Sequence, residues 1–425
     1  MNERELYAAF QTGNVEEFIN SLKAYDKEVA PAMRAAGYKC KNQAKRTVLF
    51  TFGEVTFSRN RWYKGTECRV PVDEKLGLVK NTRYSLELLY QIAELSTNTP
   101  YRKVAKIVEL MYHLHITKDT VLKAVKLGER LLKEREDYRF FQEDKPVDKI
   151  KAKFIYIEGD GVMVKSYDEN GSKNLDLAHF VIHTGSRKGK LLDKKEIVSI
   201  SNRLARDQVL DYLYNHFEIS DDTILITNSD GGHGYTPYVF KEIAKALKVK
   251  RHEHFWDAYH VNKKLKQFYK SYSQELLDQA FEAIQTHDKK KLRLVLDTTE
   301  SLVETPEAQE ALASLSVQLR RNFQYTKPAT LRGLPEVILG IMESQHRKIT
   351  YRMKKRGMYW SLAGADTMTQ MILLSATGEL RDLFFGDWRE DYERYQALDH
   401  LSAGRAKTQA KERDYHWPKS RRMKK

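Results

Sequence analysis

Residues 151–260 alternate between strand and helix patterns, and this alternation restricts the fold more than any other feature of the sequence. Runs of β-branched and aromatic residues predict strands, whereas apolar residues at helical spacing in 204–217 and after Thr236-Pro237 predict helices. The predicted strands are 153–165, 178–185, 196–201, 222–232 and the start of 252–260. Because such segments build a sheet with helices packed on its faces, we expect an α/β region here.

Two aspartates lie where these strand patterns give way to glycine. Asp160 is flanked by glycines and interrupts the first strand pattern, and Asp230 ends the fourth strand and precedes two glycines. Polar groups at strand ends face the crevice in which α/β proteins bind ligands, and paired carboxylates suit Mg²⁺ or Mn²⁺. Asp-Gly is also a common turn dipeptide, so a turn role stays open for both residues.

Glu343 lies in a predicted long helix, about 335–356, which Gly357 could end. It is either a third metal ligand or the partner of Arg347 in an ion pair across one helical turn. Cations crowd the same helix, and in the functional interpretation they bind the DNA backbone. These cations are Arg347, Lys348, Arg352, Lys354 and Lys355.

Asp257 and His260 are three residues apart in 252–260, which reads as a short strand running into a helix. Two such residues are too few for a zinc site. We expect them to support the active site through hydrogen bonds, or His260 to move protons or contact DNA. A purely structural histidine is an equally good interpretation.

The first 135 residues are mainly helical around one hairpin. Residues 1–35 predict one or two helices, and 47–63 predict a hairpin turning at Gly53-Glu54. Its second arm carries Arg59 and Arg61 beside aromatic residues, which suits either nucleic-acid contact or a solvated hairpin. Residues 84–135 resemble a helix-turn-helix, whose second helix would turn Lys118 and Lys123 toward DNA. Many helical hairpins share this pattern, so a structural role remains open.

Charge favours a polyanionic partner. Lysine and arginine total 73 against 58 acidic residues, a formal net charge of +15. No stretch approaches about 18 consecutive apolar residues, so no membrane span is expected. No phosphate-loop or dinucleotide motif is present, and Cys40 and Cys68 lack a zinc framework. We expect a cytoplasmic protein without a nucleotide cofactor.

The motifs together resemble the ISLre-type insertion-sequence transposases of bacteria. The resemblance rests on 157–161, 228–235, 256–265 and 343–361, and extends to the hairpin at 53–63. The wider class is similar to the Mutator-like transposases, which implies an RNase H-like domain with a mixed sheet flanked by helices, a DDE triad and an all-helical insertion. The implied triad is Asp160, Asp230 and Glu343. Asp257 and His260 fall on the C/DxxH motif, and Glu158 competes with Asp160 as the first acid.

The resemblance also implies an activity. Two Mg²⁺ or Mn²⁺ ions held by the triad would serve cleavage at the element ends and joining of the 3′-OH to target DNA. The partner would be double-stranded DNA at the terminal inverted repeats and the target, bound by a homo-oligomer at the nucleoid. Two alternatives remain, a non-catalytic helix-turn-helix regulator and an RNase H-like nuclease without strand transfer.

These inferences divide the chain into six parts. The expected parts are 1–83 (helices and hairpin), 84–150 (helix-turn-helix-like region and a linker from 136), 151–264 (first part of the catalytic core), 265–335 (helical insertion), 336–403 (last part of the core) and 404–425 (a basic tail that could bind phosphates).

Overall fold

The computed structural model describes residues 2–140, 148–168 and 171–397. The chain forms two compact units, Met1–Lys145 with Leu374–Lys425, and Pro146–Leu373. The predicted basic tail, 404–425, lies outside the described residues, as do residues 141–147 of the predicted linker.

The first unit begins with one long helix packed against a hairpin. The elements are α1 (Glu3–Ala35), β1 (Lys39–Phe50), β2 (Gly53–Lys64) and β3 (Glu67–Arg69). Buried Leu22 of α1 packs with Val48, Val55 and Phe57 of the hairpin. The predicted hairpin is confirmed, although its turn lies at residues 51–52, just before Gly53 (φ +135°).

The other described elements of the first unit are helices. Its helices are α2 (Pro71–Lys75), α3 (Leu86–Asn98), α4 (Tyr101–Tyr112), α5 (Lys118–Phe140) and a short helix at Leu380–Phe385, and residues 388–397 are also helical. Ser85 caps α3, and left-handed His113 ends α4. Because α5 continues to Phe140, the prediction of a linker from residue 136 is wrong for its first five residues.

The second unit is built on a mixed sheet in the order β12-β11-β5-β6-β9. Its strands and helices, in chain order, are β4 (Ile150–Lys151), β5 (Phe154–Asp168), β6 (Gly171–His183), β7 (Gly185–Arg187), β8 (Lys190–Leu192), β9 (Lys195–Ser199), α6 (Asn202–His216), β10 (Phe217–Glu218), β11 (Ile224–Ser229), α7 (Pro237–Ala246) and β12 (Arg251–Trp256). The strands β5, β6 and β9 pair antiparallel, whereas β11 lies parallel to both β5 and β12. The α/β prediction is thereby confirmed.

The two faces of this sheet differ in chemistry. One face is apolar, and its residues Ile155, Ile157 and Phe180 form a core with α6 and α7. Alternation along β5 puts Glu158 and Asp160 on the opposite face. Polar groups gather on that second face, so it positions the candidate site.

After the sheet the chain becomes helical. The elements are α8 (Ala258–Tyr269), α9 (Gln274–Gln285), α10 (Lys289–Glu300), α11 (Pro306–Asn322), 3-10 turns at Phe323–Thr326 and Thr330–Arg332, α12 (Met342–Met353) and α13 (Leu362–Thr377), in which the boundary between the units falls. Helices α8 to α11 share one core that includes Leu265, Leu277 and Leu296. None of the helices in the described ranges is long and apolar enough to cross a membrane.

Two local predictions are wrong. The strand pattern does not stop at Asp160, because β5 continues without a break to Asp168. The helix predicted from residue 335 begins only at Met342, and Gly340 before it has φ +80°. Glu343 therefore lies in the first turn of α12 rather than in the middle of a long helix.

Candidate functional site

Asp160 and Asp230 meet at one edge of the sheet. The pairing of β11 with β5 ends at Ser229 and Gly159, so the next residues of the two strands are Asp230 and Asp160. Burial, together with the negative charge of Asp230, raises the pKa of Asp160 to about 6. The structure thus brings together two of the three predicted acids, although Asp160 lies within its strand.

Backbone amides orient both carboxylates. The N–H of Gly161 donates to Oδ1 of Asp160 at 2.7 Å, and the N–H of Gly232 donates to Oδ1 of Asp230 at 2.7 Å. A Cβ at position 232 would lie 2.9 Å from that Asp230 oxygen, so any other residue there would make the carboxylate shift. The indole Nε1 of Trp256 donates to the carbonyl oxygen of Asp230 at 2.8 Å and holds the start of the loop that follows β11.

Asp257 and His260 join the two aspartates as a hydrogen-bonded pair. Asp257 caps α8, and its Oδ1 accepts from the backbone N–H of His260 at 3.0 Å and lies 3.3 Å from its Nδ1. Burial opposes ionisation of Asp257, but the bonds from His260 hold the pKa of Asp257 below its usual value. The pKa of His260 is raised by Asp257 and further by the charges of Asp160 and Asp230.

Glu343 lies apart from this group. It is exposed, and among residues 2–140, 148–168 and 171–397 no three histidine, cysteine or carboxylate side chains are placed to hold one metal ion. Within the same ranges Glu343 also forms no ion pair with Arg347, which was the structural alternative to a role as metal ligand. Instead, α12 places His346 beside Asp160, with Nδ1 of His346 3.9 Å from Oδ2 of Asp160. Glu343 precedes His346 by three residues, about one helical turn.

Glu158 has a different environment from Asp160. It is fully buried, and its Oε2 accepts from the backbone N–H groups of Gly340 at 3.0 Å and Ile341 at 3.1 Å. Burial raises the pKa of Glu158 to about 8, so the group is mostly protonated at neutral pH. These contacts tie β5 to the chain that enters α12.

A buried group behind Asp160 was not predicted from the sequence. His179 pairs with Asp160 across β5 and β6, and its ring lies 5.0 Å from that of His346. Glu196 lies 3.2 Å from Nε2 of His179 and accepts from Nζ of Lys348 at 2.6 Å. Burial lowers the pKa of both imidazoles, that of His346 to about 3, so both are neutral. The pattern of 178–185 shows which residues share a face with His179, but only the strand register places it beside Asp160.

The cations predicted to bind DNA on and after α12 divide into two kinds. Arg347, Lys354 and Lys355 are exposed. Lys348 is mostly covered by its ion pair with Glu196. Arg352 is fully buried, with its guanidinium over the ring of Trp360, so the prediction that it contacts DNA is wrong.

The cations of the first unit divide in the same way. Lys118 and Lys123 are exposed at the start of α5. Arg59 forms an ion pair with Asp73 at 3.0 Å, in which both side chains are more than four-fifths buried, so its charge is offset. Arg61 is half-buried, and its guanidinium lies over the ring of Tyr63.

Comparisons with known proteins give a family but no activity. The model of the uncharacterised protein family UPF0236 matches residues 4–390. A protein of Streptococcus gallolyticus named "UPF0236 protein in vanSb 3'region" is 29% identical over 402 residues, which are 92% of this chain and 85% of that protein.

Proposed function

Because the chain belongs to the uncharacterised protein family UPF0236, whose name states no activity, we propose its function from the candidate site. The protein is a DNA transposase that cleaves the ends of an insertion element and joins the 3′-OH to target DNA. Asp160, Asp230 and Glu343 are its metal-binding triad. One observation carries the proposal: Asp160 and Asp230 lie side by side, partly buried, at the edge of a mixed sheet.

The chemistry of this pair fits a divalent cation. Within the described ranges no lysine or arginine forms an ion pair with Asp160 or Asp230. Their mutual repulsion is offset by the backbone N–H groups of Gly161 and Gly232 and by the charge of His260. Mg²⁺ binds through one or two carboxylates and completes its shell with water and substrate phosphate. Asp160 and Asp230 would therefore hold Mg²⁺ or Mn²⁺, and Glu343 would contribute from the first turn of α12.

The side chains around the pair have separate roles in this proposal. When bound, two divalent ions would activate the attacking water or 3′-OH and stabilise the leaving oxygen. The N–H groups of Gly161 and Gly232 orient the two carboxylates. Asp257 orients His260 and favours its charged form, so that a positive imidazolium lies near both aspartates when no metal is bound.

The remaining features support an RNase H-like transposase rather than carry the proposal. The sheet is mixed and has helices α6 and α7 on one face and α12 on the other. The helices α8 to α11, with their own core, stand between Asp230 and Glu343 as the helical insertion. The net charge of +15 suits binding to double-stranded DNA, which we place at the nucleoid in the cytoplasm. Joining of two ends calls for a homo-oligomer on DNA.

The test is a cleavage assay on a labelled duplex that carries the element's own end, with Mg²⁺ or Mn²⁺. We expect wild type to produce 3′-OH ends and joined products. Asp230→Asn and Glu343→Gln should lose about 1,000-fold in rate, since metal-held charge stabilisation contributes several kcal/mol, while both still bind the duplex. The matched control is Glu336→Gln, which removes an exposed carboxylate outside the group and should cut normally.

Other outcomes would select another function or remove a residue from the triad. Cleavage without joined products would indicate a nuclease without strand transfer. Binding without any metal-dependent cutting by wild type would indicate a regulator. Equal cutting by wild type and Glu343→Gln would remove Glu343 from the triad and leave Asp160 and Asp230 in place.

A further inference from the structure

A cavity of about 440 Å³ lies beside the candidate carboxylates, at the ends of β11 and β12. Its wall is formed by the start of α8, residues 325–329 and residues 337–340. Ligand pockets in proteins start at about 300 Å³, so this cavity has room for a small flat molecule. None of the residues assigned to catalysis lines it.

Aromatic side chains make up much of this wall. Trp256 is almost buried, Tyr325 is half-buried, and Tyr259 is 56% exposed and therefore lies toward the opening. Lys327 adds a cation to the lining. Aromatic rings beside a cation are how proteins bind unstacked bases together with their phosphates.

Asn228 supplies a polar group without a partner. It is 2% exposed, and in the described part of the chain its Oδ1 accepts no hydrogen bond. A buried amide oxygen without a donor is costly, and it implies a ligand or a water that donates to it. An asparagine amide both donates and accepts, which matches the edge of a nucleobase.

The cavity is also coupled to the candidate active site. Trp256 in its wall donates to the carbonyl oxygen of Asp230, and Asn228 is two residues before Asp230 on the same strand. A ligand in the cavity would thus lie close to the position of the metal ions that the carboxylates would hold, and so to the phosphate that those ions would bind.

We propose that this cavity binds a single nucleobase that leaves the duplex beside the phosphate to be cut. The inference rests on the proposed function and adds to it a base-binding site. The rings of Trp256, Tyr259 and Tyr325 form the apolar walls, Asn228 hydrogen-bonds the base edge, and Lys327 contacts a flanking phosphate. An enzyme that takes a base out of the stack must break its pairing, so a base that is already unpaired binds more tightly.

The test measures DNA affinity without divalent metal, so that no cutting occurs. Duplexes of the element end each carry one unpaired base, and the position of that base is moved along the end. A second series carries an abasic residue at the same positions, which gives the same distortion without a base. We expect one or two positions at which the unpaired base binds about tenfold more tightly than the abasic residue.

Variants test whether this gain in affinity for the unpaired base comes from the cavity. Tyr325→Ala and Tyr259→Ala should lose the gain at those positions while binding the abasic duplex as wild type does. Tyr259 is exposed, so its replacement removes no core packing. The control is Tyr238→Ala, which removes an exposed tyrosine of α7 outside the cavity and should keep the full gain.

The outcomes separate this inference from the proposed function. If wild type binds and cuts the duplex but prefers no unpaired base, or if Tyr325→Ala keeps the preference, the base site is wrong and the transposase proposal stands. If no duplex is bound, the proposed function fails. The same cavity could instead bind the base of a free nucleotide, so a purine nucleoside monophosphate is titrated in a separate experiment. If Tyr325 is needed for binding of this free nucleotide but not for the preference for an unpaired base in DNA, the inference is overturned.

Discussion

The charges of Glu158, Asp160 and Asp257 at the candidate site are offset by protonation or by His260 rather than by lysine or arginine. Burial raises the pKa of Asp160 to about 6 and that of Glu158 to about 8, whereas the bonds from His260 lower the pKa of Asp257. Ionised Asp160 next to Asp230 is therefore unfavourable in the metal-free protein. A divalent cation would remove this penalty.

We predict that Asp160→Asn stabilises the metal-free protein at pH 7.5. The folded pKa of Asp160 lies above the unfolded value of about 3.9, so its contribution to stability is present at low pH and is lost as pH rises through 6. Asparagine keeps the bond from Gly161 and removes the charge. The gain should be on the order of 1–2 kcal/mol at pH 7.5 and near zero at pH 4.

Thermal unfolding from pH 4 to pH 8, with and without Mn²⁺, checks this prediction. Wild type should gain stability from Mn²⁺ at pH 7.5, and Asp160→Asn should gain much less. Asp222→Asn, an exposed change outside the site, should behave as wild type does. A lower melting temperature of Asp160→Asn at pH 7.5 would contradict the argument.

The sequence reveals single acids more readily than their neighbours. Asp160 and Asp230 could be selected because each ends or interrupts a strand pattern before glycine. His179, Glu196 and His346 could not, because their proximity depends on strand register and on how α12 packs. Arg352 was misassigned for a related reason, since a run of cations does not show which one turns inward.

The elements that matter most for the site are β5 and α12. Glu158 of β5 binds the backbone of residues 340–341, and Lys348 of α12 pairs with Glu196 of β9. Together these contacts fix where α12 begins and which face of α12 lies against the sheet. Helical periodicity alone could not predict this start, because the backbone N–H groups before Met342 are taken by a side chain that is distant in sequence.

We predict that Glu158→Gln keeps cleavage and stability. The glutamine oxygen can accept the same two N–H groups, and Glu158 is mostly protonated below pH 8. Glu158→Ala leaves those N–H groups unpaired and should cost about 1–3 kcal/mol of unfolding free energy. Cleavage rates and urea denaturation measure both effects. If Glu158→Gln abolished cleavage with unchanged stability, Glu158 would replace Asp160 as the first acid.

Adjacent cations of α12 should respond differently to substitution. Arg347→Gln removes an exposed charge, so the slope of log affinity for DNA against log salt should fall by about 1. Lys348→Gln should leave that slope unchanged, because its charge is already paired with Glu196, but it should lower the melting temperature. Binding titrations at several salt concentrations, with unfolding curves, compare the two variants. Equal slopes for Arg347→Gln and wild type would exclude Arg347 from the DNA surface.

At the scale of the whole molecule, the chain returns to its first unit at the end. Residues 374–397 belong with the N-terminal helices, and Arg381 there pairs with Glu87 of α3 at 3.0 Å. The sequence instead put 336–403 into one part with Glu343. The local pattern of apolar residues identifies an α/β stretch and a helical stretch. It cannot show that residues 374–397 pack with the N-terminal helices, because those contacts join residues nearly 300 positions apart. Each unit has its own core, so the effects of substitutions in one unit can be measured separately from those in the other.

We predict that α5 of the first unit contributes to DNA affinity, whereas metal binding depends on the second unit alone. Lys118→Gln with Lys123→Gln removes two exposed charges from the start of α5, which should lower the salt slope by about 2 and weaken binding to all duplexes alike. Stabilisation by Mn²⁺ should not change, because Asp160 and Asp230 lie in the other unit. The control is Lys133→Gln on the same helix, whose charge is already paired with Glu129. Unchanged DNA affinity of the double variant would remove α5 from the DNA surface. If the double variant lost its stabilisation by Mn²⁺, DNA binding through α5 and metal binding would not be separable.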